Sequence, residues 1–184
     1  MDVKHLTMEE LEAGLETIRQ APKTEGVLEM IVRRPRVGER EVLAEGELDP
    51  EKGLVGDRWS TRRSPHVDTQ LNIMSARVIA LVAQEKDRWP LAGDQLFVDL
   101  DLSVDNVPPG TQLAIGSAVI EATSEPHTGC GQFVERFGLD AQKFVNSPVG
   151  RELQLRGINA RVVKPGVIRV GDAARKIATS RTGG

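Results

Sequence analysis

Residues 108–130 read PPGTQLAIGSAVIEATSEPHTGC, and the first half of this stretch sets the fold class. TQLAI and AVIEA carry apolar residues in alternation, the period of a half-buried strand. Both abut Ile115-Gly116-Ser117, where glycine supplies the positive φ of a tight turn. Two strands meeting at Gly116 are expected. The second half closes on Cys130, the single cysteine of the chain, three residues after His127, one of three histidines.

Further short strand candidates lie on either side. EGVLEMIVRR (25–34) and EREVLAEGEL (39–48) flank Pro35 and Gly38 in the manner of a hairpin, and QLNIM (70–74) and DQLFVDLDLS (94–103) follow. INARVVKPGVIRVGD (158–172) reads as strand, turn, strand with Pro165-Gly166 at the tip. GLVGDRWSTRRSPHVDTQ (53–70), rich in glycine, charge and turn formers, is expected to be a long exposed loop.

Helical periodicity is sparser. In LTMEELEAGLETIRQAP (6–22), Thr7 and Glu10 make a capping-box pattern, Leu11, Leu15 and Ile18 form one stripe, and Pro22 closes the helix. SARVIALVAQEKDRW (75–89) has Ser75 as cap and Pro90 as stop for a buried helix, and CGQFVERFG and LDAQKFVNS suit short helices. Many short strands, few helices and no βαβ alternation predict a mainly β fold, a closed or nearly closed barrel with several peripheral α-helices. The expected organisation is an amphipathic helical extension at 1–22, a barrel domain at 23–176 and a flexible tail at 177–184.

Composition narrows the function classes. At 184 residues the chain suits one domain, and 39% apolar with 28% charged residues is a soluble globular composition. With 3% aromatic residues and no tyrosine, the core must be largely aliphatic. A net charge of -3 gives no broad basic field, which argues against nucleic acid as the main partner. No apolar run approaches the roughly 18 residues of a membrane span, and the amino terminus lacks the pattern of a signal peptide, so a cytoplasmic location is expected.

Chemistry concentrates in two segments. A working cysteine needs partial exposure and a neighbour that favours thiolate, and a helix starting near Cys130, with His127 close by, offers both. Gly129 and Gly131 leave room for a close approach. Against this, free cysteine is among the most buried residue types and often only packs. In GLVGDRW, Asp57 and Arg58 follow two glycines, and Arg58 with Arg62, Arg63 and His66 forms a candidate anion site. His66, His127, Cys130, Asp57 and Asp68 show no metal-ligand spacing, so no zinc is expected. No flavin, nicotinamide or iron–sulfur motif is visible, and any redox chemistry would draw electrons from a partner.

Four segments in order, GLVGDRW, GDQLFVDLDLS, PPGTQLAIGSAVIEATSEPHTGC and RGINARVVKPGVIRVGD, resemble the MOSC domain, named for the carboxy-terminal part of molybdenum cofactor sulfurase. The resemblance runs from about Lys23 to Lys176. It implies a strand-rich barrel and a role in sulfur transfer or in binding the molybdenum-pterin cofactor. On that footing Cys130 is the candidate sulfur carrier or molybdenum ligand, His127 a partner that tunes or protonates it, and Asp57, Arg58, Asp94 and Gln95 cofactor-binding residues. The activities implied are sulfur transferase or molybdenum-dependent oxidoreductase, with a sulfur donor or an electron-transfer protein as partner.

Three positions depart from the family pattern: Trp59 stands where histidine is common, Asp94-Gln95-Leu96 where Glu-Asn-Leu is common, and PHTGC replaces an arginine-proline-cysteine approach. These departures motivate a second expectation, a non-catalytic binding module for a small anion or a protein partner. The terminal Gly183-Gly184 matches the end of ubiquitin-like sulfur carriers, but the body of the chain does not resemble them.

Overall fold

Strand β1 (Glu25–Arg33) is long enough to take three partners in succession, and this closes the sheet on itself. The computed structural model describes residues 3–179. From β1 the ring passes through β6 (Leu96–Asp99), β5 (Leu71–Ser75), β9 (Ile158–Lys164), β8 (Ala118–Ala122), β7 (Thr111–Ile115) and β11 (Ala173–Thr179), which returns to β1. Only β5 and β6 are parallel within this ring. Strand β2 (Glu41–Leu43) pairs with β1 outside the ring, and β3 (Glu45–Asp49), β4 (Gly53–Leu54) and β10 (Gly166–Arg169) form a separate small sheet. The result is the expected closed β-barrel with helices around it.

The hairpin at Gly116 forms as the alternation requires. Leu113 faces Ile120 across the ladder, both strands bury every second residue, and Gly116 takes φ of 55°. The barrel interior is wholly aliphatic, built on Leu28, Ile31, Ile73, Leu96, Ile120 and their neighbours. A second core lies outside the barrel wall. There Met30, Val32, Met74 and Phe97 meet α1 (Met8–Ala13), α2 (Leu15–Arg19), α3 (Ala76–Ala83), α4 (Gly131–Phe137) and α5 (Leu139–Asn146). This outer core takes Phe133, Phe137, Phe144 and Trp89, so aromatic side chains sit where the helices pack.

Several local expectations change. The capping box at Thr7 and Glu10 forms, but the first helix breaks at Gly14 into α1 and α2. Residues 53–70 are not simply an exposed loop: Gly53 and Leu54 pair as β4, Asp57 and Trp59 are buried, and two 3-10 turns hold the segment. The helix after Ser75 ends at Gln84, whose φ is 67°, and Pro90 lies inside a following 3-10 turn rather than stopping an α-helix. Ser75 occupies the cap position without making a capping hydrogen bond.

The absence of βαβ order also fails at one point, since β5, α3 and the parallel β6 form such a unit. β9 and β10 do not pair with each other; β10 crosses to β3 in the small sheet. Strand β11 extends to Thr179, into the expected tail, and Ser180 to Gly184 lie outside the described residues.

Candidate functional site

One end of the barrel gathers the carboxyl end of β1, the amino ends of β5 and β6, Asn159 of β9 beside Asn72, and the loop leading to Cys130. Polar side chains there join residues far apart in sequence. Arg34 donates through Nε to Asp57 Oδ1 at 3.0 Å and through Nη2 to Oδ2 at 2.9 Å, a bidentate fork. The Arg34 and Trp59 N–H groups add bonds of 2.8 and 3.1 Å to the same carboxylate. Asp57 is 1% exposed, and Gln95 Nε2 also donates to it at 3.3 Å.

Gln95 Oε1 accepts from the Asn72 N–H at 2.6 Å. Asn72 Nδ2 donates to Asn159 Oδ1 at 2.6 Å, and Asn159 Nδ2 donates to the carbonyls of Glu125 and Pro126 at 3.0 and 3.3 Å. The network thus ends on the segment that carries His127 and Cys130. Asn146 secures that segment from the other side, accepting from the Gly129 N–H at 2.9 Å and donating to its carbonyl at 3.1 Å.

Asp94 is fully buried and holds two bases. Arg156 Nη1 donates to Oδ1 at 2.6 Å, and His127 Nε2 lies 3.2 Å from Oδ2. Arg156 also donates to the Ala92 carbonyl at 2.9 Å and stacks over the Phe133 ring at 5.2 Å. Burial pushes both Asp57 and Asp94 up, but their cationic partners prevail and both carboxyls sit below the usual carboxylate range. For Asp57 the lowering comes from Arg34 and the N–H of Trp59; for Asp94 it comes from Arg156 and His127.

Cys130 caps α4 and is exposed. Its sulfur makes no capping hydrogen bond. Partial burial raises the thiol, yet the N–H groups of Phe133 and Gln132 and the charge of Arg156 outweigh it, leaving Cys130 below the ordinary thiol value. The nearby cation is therefore Arg156; His127 is turned to Asp94.

Arginines crowd this end of the molecule. Arg40 is lowered by burial and by the charges of Arg136, Arg34 and Arg58; Arg62 is lowered by burial and by Arg58 and Arg34. Arg34 is paired with Asp57, whereas Arg40, Arg58, Arg62 and Arg136 have no ion-pair partner among the described residues. The Nε atoms of Arg40 and Arg156 are buried without a hydrogen-bond acceptor. Unbalanced guanidiniums of this kind form an anion-receptive surface. Beside the Cys130 loop, a cavity of about 360 Å³ is lined by His127, Thr128, Asn146, Arg151, Gln154 and Arg156.

The structure therefore brings Cys130, His127, Asp94, Gln95, Asp57 and Arg58 to one end of the barrel. Asp57, Asp94 and Gln95 stand behind the surface, bonded to other side chains. Trp59 fills the core of its own loop and donates to Thr69 at 3.3 Å. Arg63 and His66 lie exposed. His66 meets Asp68 and Glu125 within 4.8 Å, but His66 Nδ1 accepts from the Asp68 N–H, which leaves the proton on Nε2, the nitrogen 3.9 Å from Glu125. Arg34, Arg40, Arg136, Asn72, Asn146, Asn159 and Arg156 were not anticipated from sequence. Of these, Arg156 and Asn159 lay in a segment quoted for the family resemblance, RGINARV.

Fold and site together define a small mixed β-barrel that carries one exposed thiol near Arg156 and a separate cluster of arginines. The MOSC domain model matches residues 60–175, and the chain belongs to that family. That match begins after β1, although β1 closes the ring. The YuaD protein from Bacillus subtilis is similar in structure, with 18% identity over 82% of this chain and 94% of that one and a TM-score of 0.58. YiiM from Escherichia coli shows 21% identity over 84% and 71%, with a TM-score of 0.54. YiiM from Geobacillus stearothermophilus shows 14% identity over 83% and 73%, with a TM-score of 0.53. No curated protein sequence matches the chain.

Proposed function

We propose that the chain binds a molybdenum-pterin cofactor at the arginine-rich barrel end, with the Cys130 thiolate serving as a soft ligand for the metal or as a carrier of sulfur. The observation that carries this reading is an exposed thiol, biased towards thiolate by Arg156 and the start of α4, on a molecule that also carries a cluster of arginines, Arg40, Arg58, Arg62 and Arg136, without ion-pair partners among the described residues. The donor set fits the group: a thiolate suits a soft metal, and Arg40, Arg58, Arg62 and Arg136 suit a phosphate. The bound cofactor would supply redox chemistry at molybdenum, with electrons from a separate protein. The chain's own residues orient the thiol: Asn146 and Asn159 fix its loop, and Asp94 holds His127 and Arg156 beside it.

As a sulfur carrier, the Cys130 thiolate attacks the terminal sulfur of a donor persulfide. A new sulfur–sulfur bond forms as the donor's own breaks; Cys130 becomes the persulfide and the donor leaves as thiolate.

Metal and pterin analysis of protein from a molybdenum-replete host, with a persulfide assay after exposure to a sulfur donor, tests both roles. Bound cofactor or sulfane sulfur that disappears in Cys130→Ala supports the reading. The absence of both in wild-type protein overturns it. A second reading, an anion-binding module without chemistry, is favoured by the internal engagement of Asp57, Asp94 and Gln95. It predicts saturable binding of a pterin phosphate that is unchanged in Cys130→Ala.

A further inference from the structure

Strands β5 and β6 run parallel, so their carboxyl ends, Ser75 and Asp99, lie together at the end away from Asp94 and Gln95. A cavity of about 290 Å³ lies there, lined by Arg19, Lys23, Ser75, Val78, Asp101 and Glu152 among others. Its walls are pinned in advance. Asn106 Nδ2 donates to the carbonyls of Lys23 at 2.9 Å and Asp101 at 2.7 Å, and Lys176 Nζ donates to the Asn106 carbonyl at 2.9 Å. A preformed wall lowers the ordering cost of binding.

A helix start and an unpartnered hydroxyl at this cavity point to a ligand. The eight-residue helix α3 begins at it, and its Ser75 cap contributes no hydrogen bond to the first turn, so the orphan N–H groups and positive dipole end lack a side-chain partner. Ser75 Oγ, on a residue only 5% exposed, is itself buried without a hydrogen-bond partner. A helix start beyond the carboxyl ends of parallel strands is the place where α/β units receive anionic groups. An unsatisfied hydroxyl at the same spot is the kind of group a ligand oxygen would complete.

The remaining lining narrows the chemistry. Arg19 and Lys23 reinforce attraction for a negative group, but Asp101, Asp105 and Glu152 on the same cavity would repel a dianion and pair with an ammonium. Ile18, Leu102 and Leu153 add apolar wall. The volume falls just below the range of about 300–1,000 Å³ typical of drug-sized ligands, which suits a molecule of amino-acid size. We propose that this cavity binds a small zwitterion of the α-amino-acid type, its carboxylate at Ser75 and the start of α3 and its ammonium towards Asp101 and Glu152. Glu152 and Leu153 on this cavity are neighbours in sequence of Arg151 and Gln154 on the cavity beside the Cys130 loop, but the two share no lining residue, and the site does not depend on the chemistry proposed there.

Titration of the ¹⁵N-labelled full chain, followed by amide shifts, tests this with four probes: L-leucine, isovalerate, isoamylamine and inorganic phosphate. L-Leucine should shift the amides of Ala76, Arg77, Val78 and Ser103 saturably. Isovalerate, lacking the ammonium, and isoamylamine, lacking the carboxylate, should each bind at least about tenfold more weakly. Ser75→Ala should raise the L-leucine Kd at least about fivefold without lowering the thermal midpoint of the free protein, because the hydroxyl has no partner to lose. Cys130→Ala should leave L-leucine binding unchanged.

The absence of saturable shifts at α3, tighter binding of phosphate than of L-leucine, or equal L-leucine affinity in Ser75→Ala would overturn the proposal, as would loss of binding in Cys130→Ala. If Ser75→Ala does not fold, the four-probe comparison on wild-type protein decides alone.

Discussion

Arg156 donates to Asp94 and to the Ala92 carbonyl, stacks on Phe133 and places its charge near Cys130. Because Asp94 is fully buried, the pair is a unit whose halves cannot be separated cheaply. Asp94→Asn leaves Arg156 buried without its counter-charge and should lower stability by about 3–5 kcal/mol, read by urea unfolding. The same substitution removes a negative charge from the neighbourhood of the thiol, which favours thiolate. The pH midpoint for iodoacetamide labelling of Cys130 in the folded variant should therefore move down from its wild-type position, itself below that of a free thiol. An unchanged or upward midpoint would show that the Asp94 charge does not itself act on the sulfur. At this scale the sequence pointed to Cys130, His127 and the buried Asp57, Asp94 and Gln95. It was silent on Arg34 and Asn159, whose partners lie far along the chain and are met only when the barrel closes.

Gly157 opens β9 beside the site with φ of 114°, and a Cβ there would run into the Ile73 carbonyl and come within 3.2 Å of Asp94 Oδ2. Gly157→Ala should cost about 1–3 kcal/mol in urea unfolding, from backbone strain together with displacement of β9 from β5. An unchanged midpoint would show that β9 can give way. The elements that were legible in the sequence share one property: their signals are local. Alternation plus Gly116 specified β7 and β8, and Thr7 with Glu10 specified the start of α1. The misread elements depended on distant partners. Pro165-Gly166 has the composition of a hairpin tip, yet β10 finds β3, more than a hundred residues earlier in the chain. The charged segment 53–70 reads as solvated until Arg34 neutralises Asp57 and lets it be buried.

Across the whole molecule, two cores share the barrel wall, and α1 and α2 bury Leu11 and Ile18 in the outer one. Helices α1 and α2 therefore contribute to the same packing as α3 and α5. Removing only the Leu11 side chain beyond Cβ, as Leu11→Ala, should cost about 2–5 kcal/mol by thermal or denaturant unfolding. A cost near zero would mean that α1 is a detachable extension. Acid response is a second global property. Asp57 and Asp94 both have folded pKa values depressed below those of the unfolded chain. The unfolded state then binds more protons at low pH. The stability these carboxylates contribute is complete above about pH 4–5 and is lost as pH falls through their folded values. Urea midpoints should be flat near neutrality and fall below about pH 4, and the fall should be shallower in Asp57→Asn, already weakened at pH 7. An identical acid slope in that variant would remove Asp57 from the account. One consequence of the ring is arithmetical. Strands that alternate direction around a closed circle return in phase only if their number is even, so a circle of seven must contain a parallel neighbour pair. Here that pair is β5 and β6. Parallel neighbours cannot be joined by a tight turn; they require a long over-the-top connection. Residues 76–95 are that connection, and they deliver the uncapped start of α3 to one end of the barrel and Asp94-Gln95 to the other. An odd strand count thus obliges a parallel pair, which this chain joins through a helix; one cavity described above is lined by Ser75 and Val78 at the start of that connection, and the other by His127 and Arg156, which bond Asp94 at its end.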